Sequence, residues 1–168
     1  DLSGIGRLLL FVSRSGVDVC SYSSIAKNTG ISRHMVQKYV SLLEAAFLLK
    51  VIMPYGSNVM REPKILFSLP FRPHFVQGVE SDRIIGALRE EFFVHHAHSA
   101  GQPLNYLKNA RGQKLADYVL FHKNRKLVFE IGGAGKTGSQ FKGMSADRKF
   151  VVSQPGNPGK GIPLILFG

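Results

Sequence analysis

Residues 21–47 of the chain read SYSSIAKNTGISRHMVQKYVSLLEAAF, and this stretch has a clear helical pattern. Residues 21–24 supply side chains that commonly cap helices, and Gly30 is the residue type that ends a helix with a positive φ. Ser32 then precedes apolar residues that recur every three or four positions, which is typical of an amphipathic helix. The members of this apolar stripe are Val36, Val40, Leu43 and Phe47. The stretch therefore predicts two helices joined by a short glycine turn.

The spacing of small and apolar residues in these two helices is typical of a helix-turn-helix. Ala26 suits the close crossing of two helices, Gly30 suits the turn, and Val36 stands where the second helix packs on the core. The flanking elements are a helix around 8–12, strands at 48–53 and 64–67, and a turn at 55–58. This order of helices followed by a hairpin predicts a winged helix-turn-helix over residues 1–70.

Four polar residues lie on the predicted outer face of the second of these helices, near its N-terminal end. They are Arg33, His34, Gln37 and Lys38. In a helix-turn-helix this part of the helix enters the major groove, where Arg, Gln and Lys side chains contact bases and phosphates. The sequence therefore predicts that these residues bind DNA. The alternative is that the module packs on another protein domain and that its charged residues are solvated.

The composition also favours a polyanionic partner. The chain has 168 residues and a formal net charge of +11 at pH 7, and the basic excess extends over both halves. Cys20 is the single cysteine, which excludes an intrachain disulfide and favours a reducing, cytoplasmic location. The apolar runs are too short to span a bilayer, so we expect no membrane partner. Because the chain does not begin with Met, we expect it to be part of a longer protein.

The second half of the chain predicts a helix followed by a sheet. The helix is expected to run from Ser81 to about His98, after a linker at 70–78. Its apolar face would comprise Ile85, Leu88 and Phe92. The strand-like runs are 104–107, 114–121, 126–131, 149–153 and 162–167, with a short helix at 140–145. The pattern predicts a domain of mixed α and β structure over residues 80–168.

Two acidic residues of this domain become neighbours if the second and third strands form a hairpin. A loop at 122–125 pairs Phe121 with Lys126. The same register places Asp117 directly opposite Glu130. Two carboxylates so close need a cation between them, and Mg²⁺ is the usual one. The alternatives are a register shifted by one residue, or a nearby lysine that neutralises the pair.

The glycine-rich sequence GGAGKT at 132–137 invites comparison with a phosphate-binding loop. In a Walker loop the first glycine stands five residues before the second. Glu130 occupies that place here, and its carboxylate would repel phosphate. We therefore predict no nucleotide site in this loop and expect Lys136 to serve another group.

Six short stretches follow one another along the chain: IA at 25–26, LEAAFL at 43–48, PKILF at 63–67, GALREEF at 86–92, LADYV at 115–119 and FEI at 129–131. In order and spacing they resemble the C-terminal region of a prokaryotic AAA+ ATPase family, whose ATPase domain is followed by a winged helix and a PD-(D/E)XK nuclease-like domain. The resemblance implies a restriction-endonuclease-like fold for the second domain. It also implies that DNA and the upstream AAA+ domain of the same chain are partners, and that ATP binds only in that upstream part.

The resemblance further implies which residues form the nuclease-like site. The acidic positions are Glu90, Asp117 and Glu130, with Glu91 as the alternative on the helix. Active nucleases of this fold carry a lysine two residues after the last acid, where it orients the attacking water and balances charge. This chain has Gly132 at that place, so hydrolysis would need Lys136 to reach in from the loop.

Together these observations predict an α+β chain with a winged helix-turn-helix at 1–70 and a restriction-endonuclease-like domain with a mixed sheet at 80–168. The predicted function is DNA binding by the C-terminal region of an AAA+ ATPase, with a nuclease-like fold that is inactive or weakly active. One alternative is an Mg²⁺-dependent DNA endonuclease that uses Lys136, with Asp117 and Glu130 as metal ligands. Another is a module that tethers the ATPase to a protein partner.

Overall fold

A computed structural model of the chain describes residues 1–56, 62–76, 82–107, 115–133, 135–154 and 161–167. It is an α+β structure with helices and two β-sheets. The chain divides into two compact units, one formed by Asp1–Met53 and Asn58–Glu91 and the other by Pro54–Ser57 and Phe92–Gly168. Each unit is described by itself below.

The first unit begins with three helices, α1 (Leu2–Arg14), α2 (Tyr22–Thr29) and α3 (Arg33–Ala45). The predicted caps are confirmed. Ser21 accepts a hydrogen bond from the N–H of Ser24 and so begins α2, and Ser32 accepts one from the N–H of Met35 and so begins α3. Gly30 ends α2 with a φ of 71°, a left-handed conformation that glycine adopts without strain.

A two-stranded antiparallel sheet follows, made of β1 (Leu49–Ile52) and β2 (Lys64–Phe67). The three helices and these strands enclose one apolar core. The predicted stripe of α3 holds for three of its four members, since Val36, Val40 and Leu43 are buried. The prediction was wrong for Phe47. Helix α3 ends at Ala45, and Phe47 has a φ of 60° and an exposed fraction of 80%.

The segment predicted as a linker contains a short helix, α4 (Phe71–Phe75), although residues 77–78 lie outside the described ranges. The prediction of a linker was wrong because Arg72 is fully buried in the first unit. Its guanidinium donates hydrogen bonds to the carboxylate of Glu91 and to three carbonyls at the end of α1. Those carbonyls belong to Val12, Ser13 and Ser15.

Helix α5 (Asp82–Ser99) is present as predicted, but its predicted apolar face was wrong. Ile85 is 41% exposed, whereas the buried positions include Ile84, Ala87, Glu91 and Val94. These residues recur every three or four positions, which is the helical period. The buried face therefore includes a carboxylate, which the apolar pattern alone does not reveal.

The second unit contains a five-stranded mixed sheet, as predicted. Its strands are β3 (Leu104–Tyr106), β4 (Tyr118–His122), β5 (Arg125–Gly132), β6 (Arg148–Ser153) and β7 (Ile162–Pro163), in that spatial order. Strands β3, β4 and β5 pair antiparallel, and β5, β6 and β7 pair parallel. Two predictions need correction. The 140–145 helix is a 3₁₀ turn at Gly138–Phe141, and most of the last predicted strand is a 3₁₀ turn at Leu164–Phe167.

Candidate functional site

The N-terminal half of α3 presents polar side chains on the face opposite the core. Arg33, His34 and Lys38 are exposed and Gln37 is partly buried. They stand on the outer face because the inward face of the same helix holds its buried residues, Val36, Tyr39, Val40 and Leu43. The four residues predicted to bind DNA therefore share one exposed end of one helix.

One of the four, Arg33, is held by an ion pair that the sequence did not reveal. Its Nη2 lies 2.9 Å from Oε1 of Glu62, and the other oxygen of Glu62 accepts a hydrogen bond from the N–H of Ser23. Partial burial raises the pKa of Glu62, but the hydrogen bonds from Ser23 and Arg33 outweigh it, and the pKa lies below its usual value. Glu62 thus orients Arg33, while His34 and Lys38 present their side chains to solvent.

The predicted register of the β4–β5 hairpin is confirmed over Tyr118–His122, but the loop predicted at 122–125 is shorter, because His122 pairs with Arg125. Phe121 pairs with Lys126, and the turn between the strands consists of Lys123 and Asn124, both with positive φ. The paired part of β4 begins at Tyr118, opposite Phe129, so Asp117 directly precedes it. Side chains alternate between the two sides of a sheet. Glu130 therefore shares a side with Val128, two residues earlier on β5, and Val128 belongs to a small apolar cluster.

Hydrogen bonds hold Asp117 against β5. The N–H of Asp117 donates to the carbonyl of Phe129 at 3.0 Å, and carboxylate Oδ2 of Asp117 accepts from the N–H of Ile131 at 2.7 Å. The carboxylate thus takes a hydrogen bond from the residue that directly follows Glu130. The side chain of Asp117 is therefore fixed against the backbone of β5 at Ile131.

Lys136 completes this group of charged residues. Its ammonium forms an ion pair and hydrogen bond with Oε1 of Glu130, whose side chain is fully buried. The Lys136 side chain passes over Gly132, where an added Cβ would overlap its Cγ and Cε atoms. The absence of a side chain at 132 therefore leaves the space that Lys136 occupies. We call Asp117, Glu130 and Lys136 the acidic site.

The two acids of α5 that were considered for this site both belong to the first unit. Glu90 pairs with Lys64, with Oε2 and Nζ 3.4 Å apart. Glu91 is buried, pairs with Arg72 and accepts a hydrogen bond from the N–H of Phe67. Within the described ranges, no group of three His, Cys, Asp or Glu side chains is arranged to hold a metal ion.

Cys20 has no part in a nucleophilic site. Its side chain is 1% exposed, and burial raises the pKa of its thiol to about 12, against the smaller opposing effect of Arg72. The thiolate is the reactive form of cysteine. The thiol therefore stays protonated at neutral pH and serves as an apolar core group.

Comparison with known proteins gives one match. Residues 1–68 match a family described as a domain of unknown function, DUF8612. No curated protein and no solved structure is detectably similar to the chain. Among the described residues, no helix has the length and apolar character needed to cross a membrane.

Proposed function

We propose that the first unit is a winged helix-turn-helix that binds duplex DNA through the N-terminal half of α3. The observation that carries this proposal is the two-sided character of α3. Val36 and Val40 are buried in the core, while His34 and Lys38 on the outer face are exposed. An exposed helix end with cationic and amide side chains can enter a major groove, and a net charge of +11 favours the approach of a polyanion.

We further propose that the chain is the C-terminal region of an AAA+ ATPase. The order of three helices and a hairpin in the first unit supports a winged helix, and the mixed sheet with the acidic site supports a nuclease-like second domain. The matched domain family covers residues 1–68, the same part of the chain as the proposed winged helix. In this proposal the upstream AAA+ domain binds ATP, and the present residues contact DNA.

Changing Lys38 to glutamate tests the DNA interface. We expect Lys38→Glu to weaken binding of a short duplex by on the order of 1–3 kcal/mol, because a phosphate or base contact is replaced by repulsion. Gel-shift titration at fixed salt measures this change. Arg7→Glu is the matched control, since Arg7 is exposed on α1 and the variant has the same net charge. Equal affinities of the two variants would reject α3 as the interface.

A second candidate function is Mg²⁺-dependent cleavage of DNA, and the ion pair between Lys136 and Glu130 favours it. Carboxylate oxygens such as those of Asp117 and Glu130 are the donors that Mg²⁺ prefers, so the residues fit this ion chemically. When bound, the cation would stabilise charge on the phosphate. Lys136 would then orient the attacking water. In active nucleases of the resembled fold, a lysine at the position that corresponds to Gly132 has this role.

Incubation of supercoiled plasmid with the chain and Mg²⁺ tests this second function. If the acidic site is active, we expect slow nicking that chelation of Mg²⁺ and Asp117→Asn both abolish. DNA binding without nicking would restrict the function to binding. A chain that neither binds nor cleaves DNA would leave the third hypothesis, a module that tethers the ATPase to a protein partner.

A further inference from the structure

The turn end of the β4–β5 hairpin carries exposed aromatic side chains beside a cation. Phe121 is 47% exposed and Tyr55 is 43% exposed, and the centroids of their rings are 5.7 Å apart. The ammonium of Lys126 lies 4.9 Å from the centroid of the Tyr55 ring. Rings of this size are usually buried, so two neighbouring exposed rings indicate a surface with a binding role.

The strand register brings further groups to the same side of the sheet. Phe121 and Lys126 are antiparallel partners, and paired residues project to one side. Lys149 is the parallel partner of Val128, two residues from Lys126, so it projects to that side as well. Tyr55 is held there through its N–H, which donates to the carbonyl of Tyr106 at 2.8 Å.

The hairpin turn adds more positive charge. Lys123 is exposed, and the positive φ of Lys123 and Asn124 is that of a tight two-residue turn. The nearby carboxylate of Asp147 accepts a hydrogen bond from the backbone N–H of Lys126 at 2.7 Å. We call this surface the hairpin platform and define it as Tyr55, Phe121, Lys123, Lys126 and Lys149. It therefore combines two rings with three cations.

We propose that the hairpin platform binds single-stranded nucleic acid. Bases of any sequence stack on exposed aromatic rings, and lysine and arginine neutralise the phosphates that connect the bases. A duplex keeps its bases stacked on one another and does not offer them to these rings. An acidic peptide would engage the cations and leave the rings unused. A single strand therefore offers bases to the rings of the platform and phosphates to its cations.

This inference is independent of duplex binding by α3. All residues of the platform belong to the second unit, whereas α3 belongs to the first. A variant of the platform is therefore expected to affect single strands, and Lys38→Glu is expected to affect duplexes. The failure of one proposal can be distinguished from the failure of the other.

Fluorescence anisotropy with the whole chain and labelled oligothymidine tests the proposal. Phe121→Leu keeps the apolar bulk but removes the aromatic ring. We expect it to weaken single-strand binding roughly 5- to 150-fold, as loss of one stacked base does, with an unchanged circular dichroism spectrum. We also expect the salt dependence of binding to become shallower in Lys126→Glu, because one phosphate contact is lost.

Arg148→Glu is the matched control for charge. Arg148 is exposed and pairs with Leu127, so it projects to the side opposite Lys126, and we expect near-normal binding. Wild-type affinity in Phe121→Leu would overturn the proposal. Equal losses in Lys126→Glu and Arg148→Glu would also overturn it, since net charge alone would explain binding. Binding to phosphatidylserine vesicles without binding to oligothymidine would assign the surface to a membrane instead.

Discussion

Replacement of Arg72 by methionine is expected to lower the free energy of unfolding by about 3–5 kcal/mol, the usual cost of removing one partner from a buried ion pair. Arg72 and Glu91 both have fully buried side chains, with Nη2 and Oε1 2.7 Å apart. Methionine fills similar space but leaves the carboxylate without its cation and removes the donors to the α1 carbonyls. Urea unfolding followed by circular dichroism measures the loss.

The loss in Arg72→Met should also depend on pH. Burial raises the pKa of Glu91, and Arg72 opposes this shift, so removing Arg72 raises the folded-state pKa further. A carboxyl with a raised folded-state pKa contributes stability below its unfolded pKa, and that stability is lost as pH rises through the folded-state value. We therefore expect a smaller loss near the unfolded pKa of about 4.3 than at neutral pH.

Glu90→Gln is the control for this prediction. Glu90 is the neighbour of Glu91 on α5, but its side chain keeps 14% exposure in its pair with Lys64. Lys64 keeps its second partner, Asp18, with Nζ 2.7 Å from Oδ1, so we expect a smaller loss than in Arg72→Met. An Arg72→Met chain as stable as wild type would show that the buried pair does not stabilise the first unit.

Replacement of Lys136 by methionine is expected to lower the free energy of unfolding by about 1–3 kcal/mol, because a buried carboxylate loses a hydrogen-bonded cation. Glu130 is fully buried, whereas the Lys136 side chain is 33% exposed. We therefore expect a smaller loss of stability than in Arg72→Met. Adding Glu130→Gln removes the charge that Lys136 balances and should recover part of the stability. Thermal or urea unfolding of the two variants measures the coupling between these residues.

Lys142→Met provides the comparison for the Lys136 variant. Lys142 is exposed just after the same loop, and such surface substitutions usually change stability by about 0.5 kcal/mol or less. If Lys136→Met and Lys142→Met are equally stable, then the ammonium of Lys136 does not balance the charge of Glu130 in solution. The second candidate function would then lose its main support.

Elements with local signals could be predicted from the sequence. Ser21 and Ser32 cap helices through hydrogen bonds to residues three positions away, and such short-range contacts follow directly from the order of residues. A two-residue hairpin turn leaves few ways to pair its strands. For this reason the pairing of Phe121 with Lys126 could be predicted.

Features that depend on distant residues could not be predicted. The buried face of α5 contains Glu91, which interrupts its apolar pattern, whereas the face that includes Ile85 has the more regular pattern. Glu91 can be buried because Arg72, 19 residues earlier, compensates its charge. The Glu62 contact that orients Arg33 spans 29 residues. Neither pairing leaves a signal in the neighbouring sequence, and both were found only in the structure.

The salt dependence of duplex binding tests the central claim, docking of α3 on DNA, most directly. The logarithm of the binding constant falls linearly with the logarithm of salt concentration, and its slope reports the number of phosphates neutralised. We predict a steep slope for the wild-type chain, and a slope shallower by about one in Lys38→Glu, with Arg7→Glu close to wild type. A slope that is the same in all three chains would contradict docking through α3.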